Sequence, residues 1–192
     1  MPRILLTAFE PFGGESINPS LEIAKQLSGC ADVDVLAVPV TYADSAETVL
    51  PHVTGHDAVV MLGQAMGRKG ITVERVAINV DDAAAPDNAG EIRTDCPIAA
   101  EGPAAYLSTL PIKAMVEAIR AEGLTASVSN SAGTYVCNHL MYSVLHALRE
   151  TNIRAGFIHV PALPEQVAAR PEIPSMNLED MVCAIQAALK TL

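Results

Sequence analysis

Residues 125–160 read TASVSNSAGTYVCNHLMYSVLHALRETNIRAGFIHV. A short run of strand-forming residues (125–129) breaks into small turn residues. A long amphipathic run (135–150) follows, and then an apolar run (155–160) that stops at Pro161. Strand, helix, strand is the reading. The alternation continues outward from this unit. Further strands are expected at 3–8, 33–40, 57–64 and 71–81, and further helices at 19–27, 43–52, 111–122 and 178–192. The first helix has a marked start, because Asn18 is a good cap and Pro19 suits the first helical position. Apolar strands alternating with amphipathic helices predict an α/β fold, a largely parallel twisted sheet with helices on both faces. In such folds the reactive groups lie just beyond the carboxyl ends of strands. The stretch 82–110 is the exception, with several Pro, Gly and acidic residues and little periodicity. A connection of that length is usually functional or mobile.

The chain has 192 residues, which suits one domain, 1–192, large enough to bury a core without staples. Half of its residues are hydrophobic and 4% are aromatic, so Ala, Val, Leu and Ile must build that core. With 12 basic and 22 acidic residues, the net charge of −10 offers no electrostatic reason to bind nucleic acid or an anionic membrane. No apolar run approaches the ~18 residues of a membrane span, and the first residues read as a strand and loop rather than an export signal. The four cysteines, Cys30, Cys96, Cys137 and Cys183, show neither C-x-x-C nor zinc spacing. Free thiols in a reducing cytoplasm are the expectation. Cys183 sits in a helical apolar stripe and reads as core, while Cys30 and Cys96 fall in connections.

Cys137 alone has surroundings that argue for chemistry. It falls in the first turn of the 135–150 helix, with Thr134 as the expected cap. Free N–H groups and the positive end of the helix dipole favour a thiolate there, and the same N–H groups can hold an oxyanion. Packing beneath the turn is the competing role for this thiol. A thiolate needs a base, and the five histidines are not equivalent. His139 lies two positions from Cys137, about 160° around the helix, and is a poor partner. His146 fits a surface or packing role, and His52 and His56 read as solvated. His159 ends the 155–160 strand, where a base belongs, although a strand-end histidine also serves as a capped structural group. In GITVERVAIN (70–79), alternation puts Glu74 among aliphatics, so it requires a partner. An imidazole N–H would meet that need and orient the ring; an ion pair with Arg68 or Arg75 is the alternative.

These stretches together resemble the pyroglutamyl-peptidase I family of cysteine peptidases, also called pyrrolidone-carboxylate peptidases. The likeness runs through TAFEPFGGESINPS (7–20), GITVERVAIN (70–79), EGPAAYLSTLPIKAM (101–115), SNSAGTYVCNHLMY (129–142) and GFIHVPALPEQ (156–166). It implies Cys137 as nucleophile, His159 as base and Glu74 as orienting acid. The same resemblance implies a three-layer α/β/α sandwich, a cytoplasmic location, a homotetramer, and neither metal nor cofactor. The substrate would be an N-terminally pyroglutamylated peptide, cleaved through a thioester. Phe9 and Phe12 would wall the lactam ring and Val136 would close the site. Asn18 and Gln64 would lie beside the substrate. Backbone N–H groups at Cys137 and near Gln64 are the implied oxyanion donors.

This sequence departs from the family at four places. Ala84 and Ala85 stand where an arginine and a bulky aliphatic are usual, Ala8 replaces a glycine and Met66 replaces a small residue. The expected consequence is a working but weaker enzyme. Two other functions compete: a cysteine amidase acting on another small amide, and a binding protein that only sequesters pyroglutamyl peptides. GQAMGRKG (63–70) lacks the order of a phosphate-binding loop and reads as a connection bordering the site.

Overall fold

A computed structural model describes residues 2–192. Six strands form the main sheet: β1 (Ile4–Phe9), β2 (Val33–Val38), β3 (Ala58–Gln64), β4 (Ile71–Glu74), β7 (Ala126–Ser129) and β8 (Arg154–Val160), in the order β2-β1-β3-β8-β4-β7. β2, β1, β3 and β8 run parallel. β4 is antiparallel to β8 and parallel to β7, so the last two strands at one side of the sheet reverse direction. Helices α1 (Pro19–Leu27), α3 (Ile112–Ala121) and α5 (Leu178–Leu189) cover one face. Helices α2 (Ser45–Val49) and α4 (Val136–Leu148) cover the other. The sandwich is the one expected.

Period two in the central strands divides the core between these faces. Leu6, Val60, Leu62, Ile158 and Val160 meet α1, α3 and α5. Leu5, Val59, Met61, Ala155 and Phe157 meet α2 and α4. Gly63, Glu74, Cys137 and His159, which matter below, lie on the α4 side.

Four local expectations need correction. The single strand expected at 71–81 breaks at Arg75, because β4 ends there and β5 (Val76–Ile78) leaves the main sheet to pair with β6 (Ala105–Leu107). The irregular stretch 82–110 thus contains a strand, and Asp81 and Cys96 bridge at its start. Cys183 lies at the rim of α5, half-buried, with its sulfur 4.0 Å from Glu122. His56 is not solvated: its side chain is 7% exposed and bonds Asp34 at 2.8 Å.

Candidate active site

Three chain crossings converge over the carboxyl ends of β3 and β8. After Gln64, the last residue of β3, the chain steps over β8 to reach β4, so the turn 65–70 passes across the end of β8. The loop after β7 returns over the sheet to begin α4. The Pro/Gly loop after β1 closes the third side.

His159, the penultimate residue of β8, is 3% exposed and stands opposite Gly63 in the parallel ladder. Its Nδ1 lies 2.8 Å from Oε1 of Glu74, which is completely buried at the end of β4. Glu74 reaches the histidine from a strand that runs the other way, so the carboxyl-end rule locates His159 and Gln64 but not the acid. The same Oε1 also accepts from Arg68 Nη1 at 2.5 Å. Imidazole and guanidinium were alternatives in the sequence; here one carboxylate oxygen holds both. Arg75 points elsewhere and donates to Asn130.

Cys137 is the second residue of α4. The helix is capped at Tyr135 without a side-chain bond, and the expected cap, Thr134, instead donates from Oγ1 to the Asp82 carbonyl at 2.5 Å. A Cβ on Gly63 would lie 3.1 Å from Cys137 Sγ and 2.7 Å from Phe157 Cζ. Glycine at 63 is what lets the sulfur rest on β3, beside the strand residue that faces His159. The His159 and Phe157 rings are 4.7 Å apart at their centroids, so sulfur and imidazole share one corner of the sheet. Sγ and Nε2 are not hydrogen-bonded to each other. Such contacts often tighten only with substrate in place.

Electrostatics then assigns protonation states. Burial raises the Glu74 pKa, but the hydrogen bond and charge of His159, aided by Ser129 and Arg68, overcome it and leave the carboxyl below its usual range. Burial lowers the His159 pKa, and the support from Glu74 does not restore it. At neutral pH the ring is uncharged. It gives its Nδ1 proton to the ionised Glu74 and leaves the Nε2 lone pair available. Burial, and next the Glu74 charge, push the Cys137 thiol up to about 12, against the opposing influence of Arg68 and its own backbone N–H. The resting thiol is therefore protonated. The helix-start advantage does not by itself yield a thiolate, because desolvation outweighs it.

Beside the sulfur is a cavity of about 40 Å³ lined by Phe9, Phe12, Asn18, Val40, Gln64, Tyr135 and Cys137. Four of the five proposed substrate contacts border it. Val136 does not; it is fully buried in the core, and Tyr135 lines the cavity in its place. Asn18 caps α1 by accepting from Ser20 N at 3.1 Å and donates to the Glu10 carbonyl, which fixes the loop carrying Phe12. Gln64 exchanges amide bonds with Gln166 at 3.1 and 3.3 Å. Of the possible oxyanion donors, the Cys137 N–H has no backbone partner, whereas Ala65 N–H is committed to the Val160 carbonyl at 2.9 Å. A larger cavity of about 420 Å³ lies at the amino ends of β1 and β2 and contains none of these residues.

A sequence profile described as pyroglutamyl peptidase matches residues 2–192. The chain belongs to the pyroglutamyl peptidase family. It is 54% identical over 197 positions to pyrrolidone-carboxylate peptidase 1 of Caldanaerobacter subterraneus subsp. tengcongensis, covering 99% of this chain and 97% of that protein. It is 51% identical to a pyrrolidone-carboxylate peptidase of Streptococcus pyogenes, covering 97% of this chain and 90% of the relative. Among solved structures, pyroglutamyl peptidase I from Bacillus amyloliquefaciens superposes with a TM-score of 0.95 at 42% identity, covering 100% of this chain and 96% of that one. The pyrrolidone carboxyl peptidase of Fervidobacterium islandicum gives 0.92 at 41%, covering 97% and 96%.

Val40 and Tyr135 line the cavity, and Arg68 and Gln166 bond Glu74 and Gln64 beside it, although none of the four was expected there from the sequence. Tyr135 had a signal, being one of four tyrosines and adjacent to the Val-Cys pair. Gln166 had none, since it reaches Gln64 across 102 positions.

Proposed function

We propose that this chain is a cysteine exopeptidase that removes N-terminal pyroglutamyl residues from peptides through a thioester. The observation that carries this reading is the Glu74–His159 bond beside a glycine floor that admits Cys137. Cys137 Sγ attacks the carbonyl carbon that follows the lactam, and its proton passes to His159 Nε2 as the S–C bond forms. The oxyanion develops toward the unpaired N–H groups at the start of α4. His159 then gives its proton to the departing amine, the C–N bond breaks, and the thioester remains. In the second half His159 takes a proton from water, hydroxide adds to the thioester, and pyroglutamate leaves as Cys137 recovers its proton. Glu74 keeps the ring in the required tautomer and stabilises the transient imidazolium.

Phe9 and Phe12 supply apolar walls for a flat uncharged ring, with Tyr135 6.5 Å from Phe12, centroid to centroid. Asn18 and Gln64 offer the polar groups a lactam needs. A cavity of about 40 Å³ has room for about one water molecule. Phe12 is followed by Gly13 and Gly14 with φ of 63° and 83°, a turn that favours glycine and sets this wall of the cavity. Hydrolysis of a pyroglutamyl fluorogenic amide, with the prolyl amide as control, tests the reading. Turnover of the first alone, lost in Cys137→Ala, supports it; equal turnover of both would make the chain a less selective amidase. Ala84 and Ala85 are exposed in the loop beside the site. Restoring arginine and isoleucine there is expected to raise kcat/KM.

The assignment extends to a homotetramer in the cytoplasm, acting without metal or cofactor. Four free thiols suit a reducing compartment. Leu107 is 65% exposed and Ile78 36% on the small β5–β6 sheet, a surface suited to burial against another subunit. Light scattering should give a tetramer mass that falls in Leu107→Asp, and a monomer in the parent protein would refute the assembly.

A further inference from the structure

Each of the three proposed catalytic side chains has a role above, but the residue that binds the acid from the other side has none. Arg68 sits in the turn that carries the chain over the end of β8, and three groups hold its guanidinium. Nη1 bonds Glu74 Oε1 at 2.5 Å and also Thr72 Oγ1, while Nη2 donates to the Ser131 carbonyl at 3.1 Å. The side chain is 26% exposed, against 0% for Glu74. Glu74 Oε2 is buried without a partner, so Oε1 carries both of the acid's contacts to charged or ionisable groups. The guanidinium also ties β4 to the loop that begins α4.

We propose that Arg68 is a positioning residue of the peptidase site, which neutralises Glu74 so that His159 stays an uncharged base and the α4 loop stays in register with it. The charged and titratable groups around it are Glu74 on β4, His159 on β8 and Cys137 on α4, with the Thr72 and Ser129 hydroxyls completing the shell. Without the guanidinium, the Glu74–His159 pair has one uncompensated negative charge. That pair then binds a proton more tightly, whichever partner carries it. Arg68 lowers the pKa values of both His159 and Cys137, in line with the geometry. The inference rests on the triad reading.

The experiment measures kcat/KM against pH for the parent protein, Arg68→Met and Arg68→Lys, with a histidine-selective NMR titration of His159 on the same proteins. In the parent, the acid limb falls below the ordinary histidine value of 6.5. In Arg68→Met, the limb and the His159 titration both move up by about one pH unit, as expected for removal of a charge a few ångströms away. Arg68→Lys keeps the charge and holds the limb near the parent position, while losing about tenfold in kcat through the missing fork. If the His159 titration stays in place in Arg68→Met, the proposal is overturned and Arg68 only braces the loop. The titration reads the outcome even in a variant with no turnover. Activity surviving in Cys137→Ala would instead remove the triad reading.

Discussion

A single missing Cβ decides how closely the Cys137 sulfur can approach the sheet. Gly63 is not needed for its backbone angles; it is needed because Cys137 Sγ and the Phe157 ring occupy the space a side chain would fill. Gly63→Ala must push one of them away. The expected cost is about 1–3 kcal/mol in stability, from overpacking, and at least about tenfold in kcat/KM. Urea unfolding together with steady-state kinetics checks both, and unchanged kinetics would mean that the sulfur does not rest on β3 during turnover. Cys137, His159 and Glu74 stood out in the sequence as local exceptions: a thiol at a helix start, a histidine at a strand end, an acid among aliphatics. The contact between Glu74 and Arg68 was legible only as one of two alternatives. Which partner a buried acid takes depends on how the turn 65–70 crosses β8, and periodicity does not carry that information.

Between residue and fold, the start of α4 is held by side chains flanking Cys137. Asn138, fully buried, accepts from Ile78 N at 2.9 Å and donates to the Ile78 and Val80 carbonyls. His139 gives a ring nitrogen to the buried Asp81 at 2.8 Å, where Arg93 also binds, and Arg93 stacks 4.6 Å over Tyr42. Neither residue touches the cavity, yet together they fix the turn from which Cys137 projects. Asn138→Ala leaves the Ile78 N–H and the Val80 carbonyl without their partner, while the Ile78 carbonyl keeps the Val80 N–H at 2.9 Å, with an expected loss of about 2 kcal/mol. A thermal unfolding scan of the variant tests this. The pairing of β5 with β6 escaped the sequence for a related reason. Residues 70–79 alternate well enough for one strand, and the break at Arg75 follows from where β6 can pair, which is a tertiary fact.

For the whole molecule, the buried groups of the site make stability depend on pH in two windows of opposite sign. The folded pKa of His159 lies below 6.5, and that of Glu74 lies below 4.5. Their contributions are complete above those values and are lost as pH falls through each toward the folded pKa, because the unfolded chain takes up the protons first. Cys137 behaves oppositely. Its folded value of about 12 exceeds the ordinary 9.0, so the unfolded chain loses its proton first and stability falls as pH rises between them. Denaturant midpoints across pH should show both arms, and Cys137→Ala should make the alkaline arm shallower while sparing the acid one, the remainder coming from the buried tyrosines, of which burial pushes Tyr42 up to about 12. The six-stranded sheet with helices on both faces was legible from alternating apolar runs. The reversal of β4 and β7 was not, since a buried strand reads the same in either direction.

The most direct test of the central claim is to quench the protein during turnover of a pyroglutamyl amide in acid and weigh the peptide containing Cys137 by mass spectrometry. This peptide should carry one pyroglutamyl group as a thioester, absent in Cys137→Ala. Full turnover with the pyroglutamyl group found on another residue, or with Cys137 dispensable, would contradict it.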